Sequence, residues 1–92
     1  MRNERLIILE SDKTIVYNVE ELENYMITET LIKVKDALDE KGYNGINQIV
    51  GYLTTGDLAY ISSYKDARKK LQKIEREKIV EALLKNYLKD VK

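Results

Sequence analysis

The chain has no cysteine, no histidine and no proline, and each absence removes a class of chemistry or architecture. Without cysteine there is neither a disulfide framework nor a thiolate metal site. Without histidine, the commonest general base and the commonest metal ligand are both missing. Serine triads, cysteine–histidine nucleophiles and zinc centres are excluded by inventory, so no catalytic residue, cofactor or metal is expected. With no proline, internal repeat or low-complexity tract, nothing marks a linker. The glycines at 42, 45, 51 and 56 are too scattered for a P-loop or a dinucleotide fingerprint. No apolar run approaches the ~20 residues that cross a bilayer. The run at 6–9 is too short, and too closely flanked by acids, for a signal peptide. The expected compartment is the cytoplasm, with no membrane insertion.

What is present is one domain's worth of chain, 92 residues long. A chain of this length buries only part of its unfolded surface, and dimerisation is a common remedy. The formal charge is zero but unevenly spread: residues 1–40 hold five Lys/Arg against ten Asp/Glu, and residues 41–92 hold eleven against six. Such polarity can dock an acidic tail on a basic helix or orient two subunits; ordinary solvated helix faces explain it equally well.

Residues 1–18 differ from everything after them. Two β-branched-rich runs, at 6–9 and 14–17, flank Ser11, Asp12 and Lys13 as in a short hairpin. A lone hairpin is barely stable in water, so it either docks or stays mobile. From Val19 the period becomes helical. Leu22, Tyr25 or Met26, Leu31, Val34 and Leu38 predict one amphipathic helix over about 20–41, with acidic residues in its first turn and Gly42 as its stop. Asn44 is a plausible N-cap for a second helix carrying Ile46, Ile49, Val50 and Leu53, which Gly56 ends. Asp57 caps a further turn over 58–61. A last element over about 63–89 carries Ala67, Leu71, Ile74, Ile79, Leu83 or Leu84, and Tyr87-Leu88. The five-residue gap after Ile74 predicts a bend or break across the charged run 75–78.

Several patterns have bland alternatives. Glu77 and Glu81 lie one turn apart and read as a solvated face, since a di-iron carboxylate site normally adds histidines. The seven cations of 65–78 against three acids have the density that phosphate contacts need, but the chain as a whole is neutral. Tyr43, Tyr52, Tyr60 and Tyr64 gather around the middle turns and suit core or interface packing better than base stacking.

The run Glu40-Lys41-Gly42-Tyr43-Asn44-Gly45-Ile46-Asn47-Gln48-Ile49-Val50-Gly51-Tyr52-Leu53, followed by Gly56-Asp57-Leu58-Ala59-Tyr60-Ile61, resembles the signature of the IreB family of Gram-positive bacteria. The likeness continues through Asp66-Ala67-Arg68, Glu75-Arg76-Glu77, Ile79-Val80-Glu81 and Tyr87-Leu88, and covers about 28–89. The chain departs from the family pattern at Gly45 and Leu58, where proline is usual, and at Lys78, where an acid is usual.

The resemblance implies an all-helical homodimer with a flexible N-terminal tail that is phosphorylated by a membrane Ser/Thr kinase bearing PASTA domains. It further implies control of the turnover of an early peptidoglycan enzyme by the Clp-type protease machinery, and so of resistance to envelope antibiotics. Thr14, followed by two residues, an aromatic and Asn18, matches the family's phosphorylated threonine. Arg68 matches its functional arginine; a second basic position falls at Ser63 and is lost. The candidate partner-binding residues are Arg68, Lys69, Tyr60 and Asp57.

The expectation is therefore an all-α, homodimeric bundle of about four to five short helices behind a flexible or β-prone tail. Residues 1–19 form the regulatory tail and 20–92 the helical domain. The protein is a regulatory adaptor and not an enzyme; its partners are the kinase and either the Clp-type machinery or its substrate enzyme. A helix-turn-helix nucleic-acid binder is the second reading.

Overall fold

Asn18 opens the helical part of the chain: its Oδ1 accepts from the Glu21 N–H at 3.1 Å, satisfying one of the donors that a helix start leaves unpaired. The computed structural model describes the backbone of residues 4–8 and 14–89 and the side chains of residues 18–89. Helix α1 spans Val19–Glu40, with Glu20 and Glu21 in its first turn. Its buried stripe is Ile27, Val34, Ala37 and Leu38. Steps of seven and four residues return to one face of a 3.6-residue helix. Tyr25 and Met26, expected on that face, are exposed, because each residue step back from Ile27 rotates the side chain by ~100°. Gly42, at φ +95°, then takes the chain through the left-handed region, and the Tyr43 N–H turns back to the Leu38 carbonyl at 2.9 Å.

Helix α2, Gly45–Thr55, starts on Asn44, whose Oδ1 accepts from the Asn47 N–H at 3.0 Å, and ends on Gly56 at φ +78°. The Gly45 N–H also donates to Asp39 Oδ1 at 2.9 Å, and a Cβ at position 45 would stand only 2.8 Å from that oxygen. This contact belongs to glycine: proline, usual here in the resembling family, has no N–H to donate and carries a Cβ. A 3-10 turn at Leu58–Tyr60 follows, with Asp57 Oδ1 accepting from the Ala59 N–H at 2.9 Å.

The expected element at 63–89 is three pieces. A 3-10 turn, Tyr64–Asp66, precedes α3, Ala67–Gln72, and α4, Arg76–Leu88. Helix cannot begin at 63, because Lys65 and Asp66 both adopt left-handed φ, +52° and +60°. The break falls at Lys73–Glu75, slightly before the expected place. Glu75 is extended (φ −62°, ψ 136°), and its carbonyl accepts from the Lys78 and Ile79 N–H groups that open α4.

The helical part thus has four α-helices, one of them long rather than short. α1 is the spine against which α2, α3 and α4 pack. Leu38, Ile61, Leu71, Ile79 and Val34 are the largest fully buried side chains of the core. Each fully buried residue of this size contributes roughly 1.5–3 kcal/mol relative to exposure. On α4 the core takes Ile79 and Ala82, while Leu83, Leu84, Tyr87 and Leu88, expected inside, are exposed. The α4 register that buries Ile79 and Ala82 rotates those four away. Among the described residues no helix is long and apolar enough to cross a membrane.

Ahead of α1, strands β1 (Glu4–Ile8) and β2 (Thr14–Asn18) pair antiparallel, with Glu4 opposite Asn18, Leu6 opposite Val16 and Ile8 opposite Thr14. The turn expected at Ser11, Asp12 and Lys13 lies outside the described residues.

Candidate phosphorylation and partner-binding site

Three of the five candidate residues are brought together around one loop. Asp57 caps the turn that carries Tyr60, and Arg68 reaches back from α3 so that its Nε donates to the Ile61 carbonyl at 2.9 Å. Ile61 is fully buried, so this bond fixes a half-buried guanidinium beside the turn. Tyr60 is 47% exposed and lays its ring over α2 at Gly51. A Cβ at position 51 would lie 2.5 Å from Tyr60 Cδ1, so the ring and a side chain there exclude each other. Lys69 is exposed on α3, with no ion-pair partner among the described residues.

The loop between Tyr60 and Arg68 is strained. Two consecutive non-glycine residues in the left-handed region cost of order 1–3 kcal/mol each and persist only where their surroundings over-determine them. Those surroundings are visible. The Tyr64 N–H donates to Ser62 Oγ at 3.1 Å and the Asp66 N–H to the Ser63 carbonyl at 3.0 Å. From α1, Glu40 accepts from Lys65 Nζ at 2.7 Å and from the Tyr64 hydroxyl at 3.0 Å. Lys41 Nζ stands 5.2 Å from the Tyr64 ring centroid. Lys65, and then Tyr64, hold the Glu40 carboxyl below the usual carboxylate range, while Glu40 holds the Lys65 ammonium above its ordinary value.

Sequence reasoning missed Glu40 as the anchor of this loop. Its partners lie 24 and 25 residues away, and only its place at the head of the EKGYN run could have drawn notice. It also missed Arg76, read as one of a charged run. Arg76 Nη1 donates to the Leu53 carbonyl at 3.2 Å, and its guanidinium covers Gly56 at the C-terminal end of α2, where the helix dipole favours a cation.

Of the basic residues at 65–78, Lys65, Arg68, Lys70 and Arg76 all donate to protein oxygens. The helix that follows the turn, α3, is only 6 residues long. Thr14 is the first residue of β2, opposite Ile8, and its side chain lies outside the described residues. Strand β2 contacts β1 and α1.

Asn18, Asn44 and Asp57 cap helical turns, while Glu40, Arg68 and Arg76 tie separate elements together. The family model described as "IreB regulatory phosphoprotein" matches residues 12–89. The chain belongs to that family, and is a regulatory phosphoprotein.

Proposed function

We propose that this protein is a phosphorylation-switched adaptor of the cytoplasm, whose Thr14 receives phosphate from a PASTA-type Ser/Thr kinase. Acting as a homodimer, it sets how the Clp-type protease machinery turns over an early enzyme of peptidoglycan synthesis, and so resistance to envelope antibiotics. The observation that carries the reading is the family match over residues 12–89, which takes in Thr14 together with all four helices. In this reading residues 1–19 are the regulatory tail and 20–92 the helical domain.

Phosphate adds about −1.5 to −2 charge and three acceptor oxygens. On the acidic N-terminal half, that charge meets repulsion. Candidate cations for it are Arg68, through the terminal nitrogens left free while its Nε donates to the Ile61 carbonyl, and neighbouring lysines such as Lys69. Phosphorylated Thr14 either pairs with them or repels a partner that uses them, and exposed Asp57 and Tyr60 extend the same surface.

The homodimer is supported by an apolar groove of about 310 Å³ bordered by Leu31, Ile32, Ile46, Val50, Leu53 and Leu83. Ile46 and Val50 are 54% and 51% exposed there, a large apolar area for a chain this small.

The test is phosphorylation of the full chain by such a kinase, with the site mapped by mass spectrometry. Phosphate should fall mainly on Thr14, and Thr14→Ala should abolish incorporation without changing helical content. Phosphate mainly on Ser62, Ser63 or Thr54 would overturn the assignment. Pull-downs from cells comparing wild type with Thr14→Ala and Thr14→Glu would then identify the partner that reads the switch.

A further inference from the structure

Strand β1, Glu4–Ile8, lies wholly outside the residues that the family model matches, whereas β2, Thr14–Asn18, lies wholly inside them. The segment that carries the proposed phosphate acceptor is therefore paired with a segment outside the matched residues. The pairing is complete: all five residues of β2 stand opposite a residue of β1, from Glu4–Asn18 at one end to Ile8–Thr14 at the other. The sequence suits the ladder, with Leu6 opposite Val16 and Ile7 opposite Ile15 as cross-strand pairs of strand-favouring apolar residues.

One end of the hairpin is anchored. Asn18 is at once the last residue of β2 and the N-cap of α1, so the strand runs into the spine helix without a connecting residue. The Thr14 end is the far one, where opening from the tip exposes the acceptor first.

A kinase takes its acceptor hydroxyl from an extended segment that must enter its cleft. Backbone engaged in a ladder with β1 is not available to do so. We propose that residues 4–8 are a cover strand: pairing with them withholds Thr14 from the kinase, and opening of the hairpin sets the rate of phosphorylation. The proposal rests on the reading of Thr14 as acceptor given above.

A two-stranded hairpin is only marginally stable in water, so the cover opens readily. A hairpin closed about nine-tenths of the time lowers the effective concentration of competent substrate about tenfold. Such a cover is also simple to regulate, because anything that captures β1 releases Thr14.

The experiment uses the full chain with Leu6→Pro and, separately, Ile7→Pro. Hydrogen-bonded and non-hydrogen-bonded pairs alternate along an antiparallel ladder, so one of the two substitutions must remove a ladder N–H. Two readouts are taken: amide exchange at residues 15–18, and the initial rate of phosphate incorporation at Thr14 by a PASTA-type kinase domain. Wild type should show exchange at 15–18 slower than an unstructured chain. At least one proline variant should lose that protection and be phosphorylated about two- to tenfold faster, while the amides of residues 34–38 in α1 stay protected. Exchange at unstructured rates in wild type, or lost protection with an unchanged rate on Thr14, overturns the cover strand and leaves Thr14 as acceptor. Phosphate that maps elsewhere in both wild type and variants overturns the acceptor, and the regulatory role of β1 with it.

Discussion

Replacing Gly51 by alanine sets helix propensity against the position of Tyr60. Position 51 is interior to α2, where alanine is more favourable than glycine by about 0.8–1 kcal/mol. The new Cβ would lie 2.5, 2.8 and 2.9 Å from Tyr60 Cδ1, Cε1 and Cγ, so the whole ring must leave, not merely its tip. The ring is 47% exposed, so about half of its surface is buried. Half of the roughly 1.5–3 kcal/mol for a fully buried large side chain is about 1 kcal/mol. The two effects nearly cancel, and Gly51→Ala should leave the denaturation free energy within about 0.5 kcal/mol of wild type. In a Tyr60→Ala background the clash is absent, and the same substitution should stabilise by about 1 kcal/mol. The double-mutant cycle, measured by urea denaturation with circular dichroism, should therefore return a coupling of about 1 kcal/mol. Additivity within about 0.3 kcal/mol would refute the packing of Tyr60 on Gly51.

Leu38→Ala, in the fully buried stripe of α1, should cost about 2–5 kcal/mol, a large part of the stability of a small domain; a loss under about 1 kcal/mol in chemical denaturation would show that the core is elsewhere. Val50→Glu places a charge in the apolar groove; if the proposed homodimer forms, sedimentation at micromolar concentration should find dimeric wild type and monomeric variant, and a monomeric wild type would remove the homodimer. Acid should weaken the fold. The carboxyls of Asp39, Glu40 and Glu20 are held low, chiefly by Lys35, Lys65 and Lys85 respectively, with the Gly45 N–H adding to the effect on Asp39. A carboxyl lowered in the folded state stabilises fully above its unfolded value and ceases to as pH falls through the folded one. The raised ammonium values of Lys35, Lys65 and Lys85 give the mirror case, a contribution lost only as strong alkali takes the pH up through them. Stability should thus be flat near neutrality and fall below the usual carboxylate range, shallowly because the paired side chains are 42–54% exposed to solvent; a denaturation midpoint that rises in acid would contradict the pairs.

Much of the helical part was legible in the sequence because its signals are local. Asn44 caps α2 through a residue three positions on, and Asp57 caps its turn through one two positions on. Gly42 and Gly56 both occupy the positive-φ stop positions that glycine tolerates best. The long motif from Glu40 through Ile61 pointed to the family that the match over 12–89 shows. None of these depends on what lies across the fold.

Other features became decidable only once the faces met. Nothing local distinguishes Ile27 from Met26 as the core residue, or Ala82 from Leu83 and Leu84; the rotation of α1 and α4 against their neighbours does. The left-handed Lys65 and Asp66 run against intrinsic preference, and they are held by Glu40, which α1 delivers from 25 residues away. The ties of Arg68 to Ile61 and of Arg76 to Leu53 likewise join separate elements, and the complete pairing of β1 with β2 required both strands in place. Sequence by itself determined caps, stops and periodicity, because a hydrogen bond over two to four residues and a single φ angle are set by adjacent chemistry. Tertiary structure decided which faces are buried and which residues hold the strained loop, because those energies arise only between elements that the chain keeps far apart.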